Sequence, residues 1–237
     1  MIVRNLQSVR DRITTACIAA GRNPASVQLL AVSKTFPLEA VLDAMTDNQR
    51  AFGENYIAEG VEKILAMKAL QASKAPAAGG VLQWHCIGPV QSNKTRLVAE
   101  HFDWVQSVDR LKIAQRLSEQ RPADLPPLQI CLQVNIDGGA NKSGVAPADL
   151  AGLAKEVASL PRLRLRGLMT IPEPATNFVA ACALHSLAKA IFDQINDTGM
   201  LPLPMDTLSM GMTADLEAAI HSGSTMVRVG TAIFGSR

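Results

Sequence analysis

The residue of this chain best placed for covalent chemistry is Lys34, which ends the apolar run LLAVSK. In an extended strand Leu30, Val32 and Lys34 share one side while Leu29, Ala31 and Ser33 take the other, so an ammonium is carried to the strand's C-terminal tip. A desolvated lysine gives up its proton more readily than one in water, and its free amine can attack an aldehyde to form an imine. The alternative is a lysine that extends into solvent from a strand end. The strand alone does not decide between them.

Two small-residue turns near the other end of the chain bear on that choice. Ser209, Met210 and Gly211 follow one apolar run, and Gly230 and Thr231 follow the next. Glycine lets backbone N–H groups approach an anion closely and hydroxyls add donors, so such turns suit a phosphate, although either one alone reads more readily as an ordinary turn. Arg228, in MVRVG, projects on the same side as Met226 and Gly230 and is an uncompensated charge unless something pairs with it. It can donate to a phosphate or to a pyridine nitrogen, or form a salt bridge with a neighbouring carboxylate. Asn55, in AFGENY, can similarly donate to a ring hydroxyl or simply shape a turn. Thr213 or its neighbour is placed to cap the short helix in MTADLEAA, with Asp215 in its first turn.

Other chemistry is poorly supported. His85 lies in the apolar segment WHCIG and reads as a hydrogen-bonded core residue, while His101, His185 and His221 fall on predicted helices without metal-ligand spacing. Cys17, Cys86, Cys131 and Cys182 are scattered, which suggests neither a zinc ribbon nor a disulfide framework and points to a reducing cytoplasm. A net charge of +2, with basic residues dispersed apart from Arg162, Arg164 and Arg166, does not imply nucleic acid. No segment is read as a membrane span, and the opening MIVRNLQSVRDRITTACIAAG has the spacing of an amphipathic helix rather than a signal peptide.

The elements that must position these residues alternate regularly. Short apolar runs lie near Val27 to Ser33, Arg50 to Glu54, Leu82 to Gly88, Trp104 to Val108, Leu128 to Asn135, Leu163 to Thr170, Met205 to Ser209 and Met226 to Gly230. Most are apolar at nearly every position, as parallel strands covered on both faces are. Helical patterns fall between them, the first from Pro37 with Leu38, Val41, Leu42 and Met45 on one stripe. Others lie near Ile57 to Leu70, Lys94 to His101, Leu111 to Gln120, Asp149 to Ser159, Phe178 to Thr198 and Asp215 to His221.

The pattern predicts an α/β fold, a single (β/α)8 TIM barrel with an extra N-terminal helix covering the place of an eighth outer helix. An open doubly wound sheet is the alternative. In such a barrel the strand tips build the active site, and the loops after the last two strands are a recurrent phosphate site. ASKAPAAGG, Ala72 to Gly80, reads as a mobile loop, and no domain boundary is evident across residues 1–237.

With these residues in place the chain resembles the pyridoxal phosphate homeostasis proteins, which share the barrel of the alanine racemase N-terminal domain. The resemblance is carried by AVSKT (Ala31 to Thr35), FGENY (Phe52 to Tyr56), WHCIGPVQSNK (Trp84 to Lys94), VNI and KSG (Val134 to Ile136, Lys142 to Gly144), RGLMTIP (Arg166 to Pro172), LSMGMTADLEAAI (Leu208 to Ile220) and STMVRVGTAIFG (Ser224 to Gly235). It spans nearly the whole chain, in order. It implies pyridoxal 5'-phosphate (PLP) held as a Schiff base on Lys34. By the same resemblance Ser209, Met210, Gly211, Gly230 and Thr231 hold the phosphate, Arg228 faces the pyridine nitrogen, Asn55 lies near the ring hydroxyl, and Met169 contacts the ring. Many members have a second lysine where this chain has Phe36, and some continue past the position of Arg237 with further basic residues.

PLP acts as an electron sink whose strength depends on the group set against the ring nitrogen. An arginine stays protonated and donates, which leaves the ring nitrogen unprotonated and weakens the sink. The related racemases also use a tyrosine from an additional β domain, whereas Tyr56 is the one tyrosine here. These points predict a cytoplasmic protein that buffers PLP or delivers it to PLP-requiring apo-enzymes, and the resemblance implies a monomer. The alternatives are a PLP-dependent racemase or lyase with Lys34 as sole base, and a barrel enzyme for another phosphorylated metabolite.

Overall fold

Parallel strands that are apolar on both faces need cover on both, and a closed barrel ringed by helices supplies it. The structure is a computed structural model describing residues 1–73, 81–139 and 143–236. Most of the small-residue stretch ending at Gly80, as well as Lys142 and Arg237, lies outside the described residues.

The strands are β1 (Gln28–Val32), β2 (Ala51–Glu54), β3 (Gln83–Cys86), β4 (Trp104–Val108), β5 (Leu128–Val134), β6 (Leu163–Thr170), β7 (Thr207–Ser209) and β8 (Met226–Val229). They are all parallel, each paired with its neighbours in chain order, and β8 closes on β1 with Leu30 opposite Arg228. Closure excludes the open doubly wound sheet. Around the barrel run α1 (Ile2–Ala19), α2 (Leu38–Thr46), α3 (Ile57–Ser73), α4 (Thr95–His101), α5 (Leu111–Gln120), α6 (Leu150–Ala158), α7 (Phe178–Asp197), α8 (Leu216–His221) and the single turn α9 (Thr231–Phe234).

The opening helix takes the expected place. Its apolar stripe, Leu6, Val9, Ile13, Ala16 and Cys17, is buried, and α1 packs against α2, α8 and α9. Arg12 pairs with Glu217 of α8 through Nε–Oε1 at 2.8 Å and Nη2–Oε2 at 3.0 Å, and Arg10 pairs with Asp47 beyond α2. These contacts fix α1 at the seam between the last and first strands.

Three local expectations change. β7 begins at Thr207 rather than Met205, because Asn196 takes both Met205 backbone groups, donating to its C=O at 2.9 Å and accepting its N–H at 2.8 Å. Thr213 does not cap α8. Asp215 holds the N-cap position, and its carboxylate accepts the Met212 N–H at 2.7 Å and meets His185 Nε2 at 3.0 Å. Finally, α7 is long and apolar enough by composition to cross a membrane, with mean hydropathy 1.3. Its Ala181, His185, Ala188, Phe192 and Ile195 are nevertheless buried, and it packs against β6 and α8.

The main core lies between strands and helices. Inside the barrel are two small apolar clusters, one of Leu30, Ala51, Met226 and Ile87, the other of Trp104, Cys131 and Met169. The remaining interior is polar, which a purely structural core would avoid.

Candidate ligand site at the barrel mouth

Arg228 is the most demanding residue of the interior. It is almost wholly buried on β8, and burial lowers its pKa to about 10. Nη1 donates to Ser209 Oγ at 2.7 Å and Nη2 donates to the Thr170 C=O at 2.8 Å. Both partners are neutral, so the alternative of a salt bridge to a neighbouring carboxylate is not met among the described residues, and an anionic or electron-rich ligand would complement its charge. The Thr170 hydroxyl, at the tip of β6, is buried without a hydrogen-bond partner.

The contact continues across the barrel. Ser209 Oγ donates to Gln106 Oε1 at 2.7 Å, and Gln106 Nε2 reaches His85 Nδ1 at 2.9 Å. The His85 ring stacks on Trp104 with centroids 5.0 Å apart, and Arg166 lies over Trp104 at 4.7 Å. Burial holds the pKa of His85 down to about 3, so the imidazole is neutral and accepts through Nδ1. This is the core histidine expected from WHCIG. Cys86 and Cys131, also fully buried, have thiols pushed up to about 12.

The two glycine turns stand beside Arg228. Gly211 has φ +92, and a Cβ there would lie 2.4 Å from Ala219 Cβ, so the loop after β7 requires glycine. The Gly211 C=O accepts the Arg228 N–H at 3.0 Å, and the Met210 N–H donates to the Met226 C=O at 3.1 Å. Gly230 and Thr231 lead from β8 into α9. Ser209 and Met210 are fully buried, Gly230 is half-buried and Thr231 is exposed.

Lys34 lies just past β1 and is half-buried. Asn55, half-buried, directly follows β2. Met169 is fully buried with Trp104 and Cys131, so it forms part of the floor beneath the tips. The predicted residues are thus brought to the C-terminal ends of β1, β2, β6, β7 and β8. Among the described residues no group of three or more His, Cys, Asp and Glu side chains is arranged to hold a metal.

Comparison with known proteins establishes the family of the chain and agrees with its fold. The family described as "Alanine racemase, N-terminal domain" matches residues 5–237. The pyridoxal phosphate homeostasis proteins of Pseudomonas aeruginosa and Escherichia coli are 55% and 51% identical over the whole of this chain, covering 96% and 97% of their own lengths. This chain belongs to the pyridoxal phosphate homeostasis protein family. Among solved structures, PipY of Synechococcus elongatus with PLP bound has TM-score 0.80 and 34% identity, covering 99% of this chain and 100% of PipY. A D-threonine aldolase of Filomicrobium marinum, 19% identical with TM-score 0.74, shows the barrel alone; this chain spans 60% of it.

The Phe36 ring packs on Phe234 with centroids 5.2 Å apart. Gln106 and Thr170 are the site-adjacent residues that the sequence reading missed. A glutamine central in the apolar run WVQSV is a legible oddity, but its partners are His85 on the neighbouring β3 and Ser209 on β7, 103 residues later.

Proposed function

We propose that this protein binds PLP at the barrel mouth, as a Schiff base on Lys34, and serves intracellular PLP homeostasis by holding and delivering the cofactor. When bound, PLP supplies an aldehyde that condenses with an amine and a ring that withdraws electrons. The loop of Ser209, Met210 and Gly211 and the turn of Gly230 and Thr231 hold the phosphate. Arg228 faces the ring nitrogen, Asn55 the ring hydroxyl, and Met169 supports the ring from below. Residues 1–237 act as one PLP-binding unit, monomeric and cytoplasmic, in keeping with the free thiols of the four cysteines.

The observation that carries this reading is Arg228, buried with two neutral partners and aligned by Ser209. At a pKa of about 10 it keeps its proton at neutral pH. A group that only donates leaves the ring nitrogen an acceptor and weakens the electron sink on which racemases and lyases depend. Holding the cofactor is the chemistry that such a site favours. Alanine racemase and aldolase barrels resemble it in fold alone.

The test uses the PLP-loaded protein incubated with L-amino acids in deuterated water, and separately with an unrelated PLP-requiring apo-enzyme. We expect no α-proton exchange at an enzyme-like rate, together with activation of the apo-enzyme. Rapid exchange would establish the racemase or lyase reading instead.

A further inference from the structure

Behind the tip of β1, on the side away from the barrel interior, a group of polar residues is buried. Ser33 Oγ donates to Glu54 Oε1 at 2.6 Å, and Lys63 Nζ donates to the same oxygen at 2.9 Å, to the Ser33 C=O at 2.8 Å and to Glu59 Oε1 at 2.7 Å. The side chains of Glu54 and Lys63 are 0% and 8% exposed. Gly60 lets α3 come this close, since a Cβ there would lie 2.6 Å from Phe102 Cζ and 3.1 Å from Glu54 Cβ.

The same Glu59 oxygen accepts the N–H of Thr35 at 2.5 Å. Thr35 has φ +65, a left-handed backbone that β-branched residues rarely adopt. It is the third residue of a turn closed by the Phe36 N–H on the Ser33 C=O at 3.1 Å, a position that favours glycine or asparagine when φ is positive. Lys34 is the second residue of that turn. On one side of it Ser33 is gripped at its N–H by the Gly53 C=O at 3.0 Å, at its C=O by Lys63 and at its hydroxyl by Glu54; on the other, Thr35 is gripped by Glu59.

We propose that Glu59 and Lys63, backed by Glu54 and Ser33, are positioning residues for Lys34: they hold a strained turn that aims the lysine at the barrel mouth. The proposal rests on the reading that Lys34 condenses with PLP. In that step the lone pair of the neutral amine forms the bond to the aldehyde carbon, and the aldehyde oxygen leaves as water with both amine protons, so no oxidant or reductant is needed. The turn acts on the geometry of attack, to which condensation is more sensitive than simple binding is.

The test separates condensation from binding. Cofactor-free protein is mixed with PLP and the rise of the visible Schiff-base band is timed; affinity for pyridoxine 5'-phosphate, which has an alcohol in place of the aldehyde, is measured in parallel. For Glu59→Ala we expect condensation slowed by about tenfold or more with pyridoxine 5'-phosphate affinity within about twofold of the unaltered protein. Adding Thr35→Gly to Glu59→Ala should restore the rate to within about threefold, because glycine adopts positive φ without strain. If Glu59→Ala does not fold, Glu59→Gln, which replaces a charged acceptor by a neutral one, should show a slowing of about threefold. An unchanged rate, equal loss of rate and affinity, or no rescue by glycine would overturn the proposal. Absence of the band in the unaltered protein would instead overturn the PLP reading, and this inference with it.

Discussion

Arg228 Nη1 donates to Ser209 Oγ across 2.7 Å, and this contact ties the last strand of the barrel to the one before it at the level of the ligand site. The Ser209 hydroxyl in turn donates a hydrogen bond to Gln106 Oε1 and so links the guanidinium to the interior hydrogen bonds that end at His85. The sequence reading placed Ser209 among the phosphate residues. Its hydroxyl donates to Gln106 and accepts from Arg228 inside the barrel, so its proton is directed at Gln106 and its side chain holds the guanidinium.

Replacing Ser209 by alanine therefore leaves Gln106 Oε1 and Arg228 Nη1 without this partner in the buried interior. We expect a loss of about 2 kcal/mol in unfolding free energy, measured by urea denaturation of the cofactor-free protein. A loss below about 0.5 kcal/mol, the size of a neutral surface change, would contradict this account of the interior.

Arg228→Met should separate binding from stability. The buried guanidinium has only neutral partners, so its removal relieves desolvation and leaves the melting temperature of the cofactor-free protein little changed. PLP affinity, read by titrating the absorbance of the bound cofactor, should fall by about 10- to 100-fold. Undiminished affinity would remove Arg228 from the site.

The loop after β7 should not tolerate a side chain at Gly211. With φ +92 and a would-be Cβ 2.4 Å from Ala219 Cβ, Gly211→Ala is expected to cost about 1–3 kcal/mol of stability and to weaken PLP binding as the loop shifts. Calorimetry of the variant checks the first and absorbance titration the second.

The pH dependence of stability should carry the mark of His85. Its folded pKa, about 3, lies below the ordinary 6.5 because burial penalises the charged ring. Below pH 6.5 the unfolded chain takes up a proton at this site that the folded one does not, so stability falls with falling pH until about pH 3. While only the unfolded state is protonated, the slope is about 1.4 kcal/mol per pH unit. In His85→Asn that contribution should disappear, whatever fixed cost the substitution brings. Parallel stability curves for the two proteins between pH 6 and pH 4 would show that His85 is not held neutral.

Much of this architecture was legible because parallel strands covered on both faces are apolar at almost every position, and eight such runs predicted the closed barrel. The glycine turns and Arg228 stood out for a similar reason, since small residues and an isolated charge interrupt an apolar pattern. The start of β7 was misplaced because Met205 is apolar, while its backbone is taken by Asn196, a side chain from the preceding helix. Gln106 and Thr170 were missed because their contacts cross the barrel between residues separated by 103 and 58 positions. Glu59 and Lys63 show the four-residue spacing of a helical ion pair, yet nothing local ties them to the backbone of Thr35.

A cofactor carried as an imine on Lys34 becomes fixed to that residue by borohydride. The most direct measurement is the mass of the PLP-loaded protein after borohydride reduction, followed by peptide mapping. We expect one phosphopyridoxyl group, attached to Lys34 and absent from Lys34→Ala. No covalent group after reduction, or a group of the same occupancy on another lysine, would contradict the account.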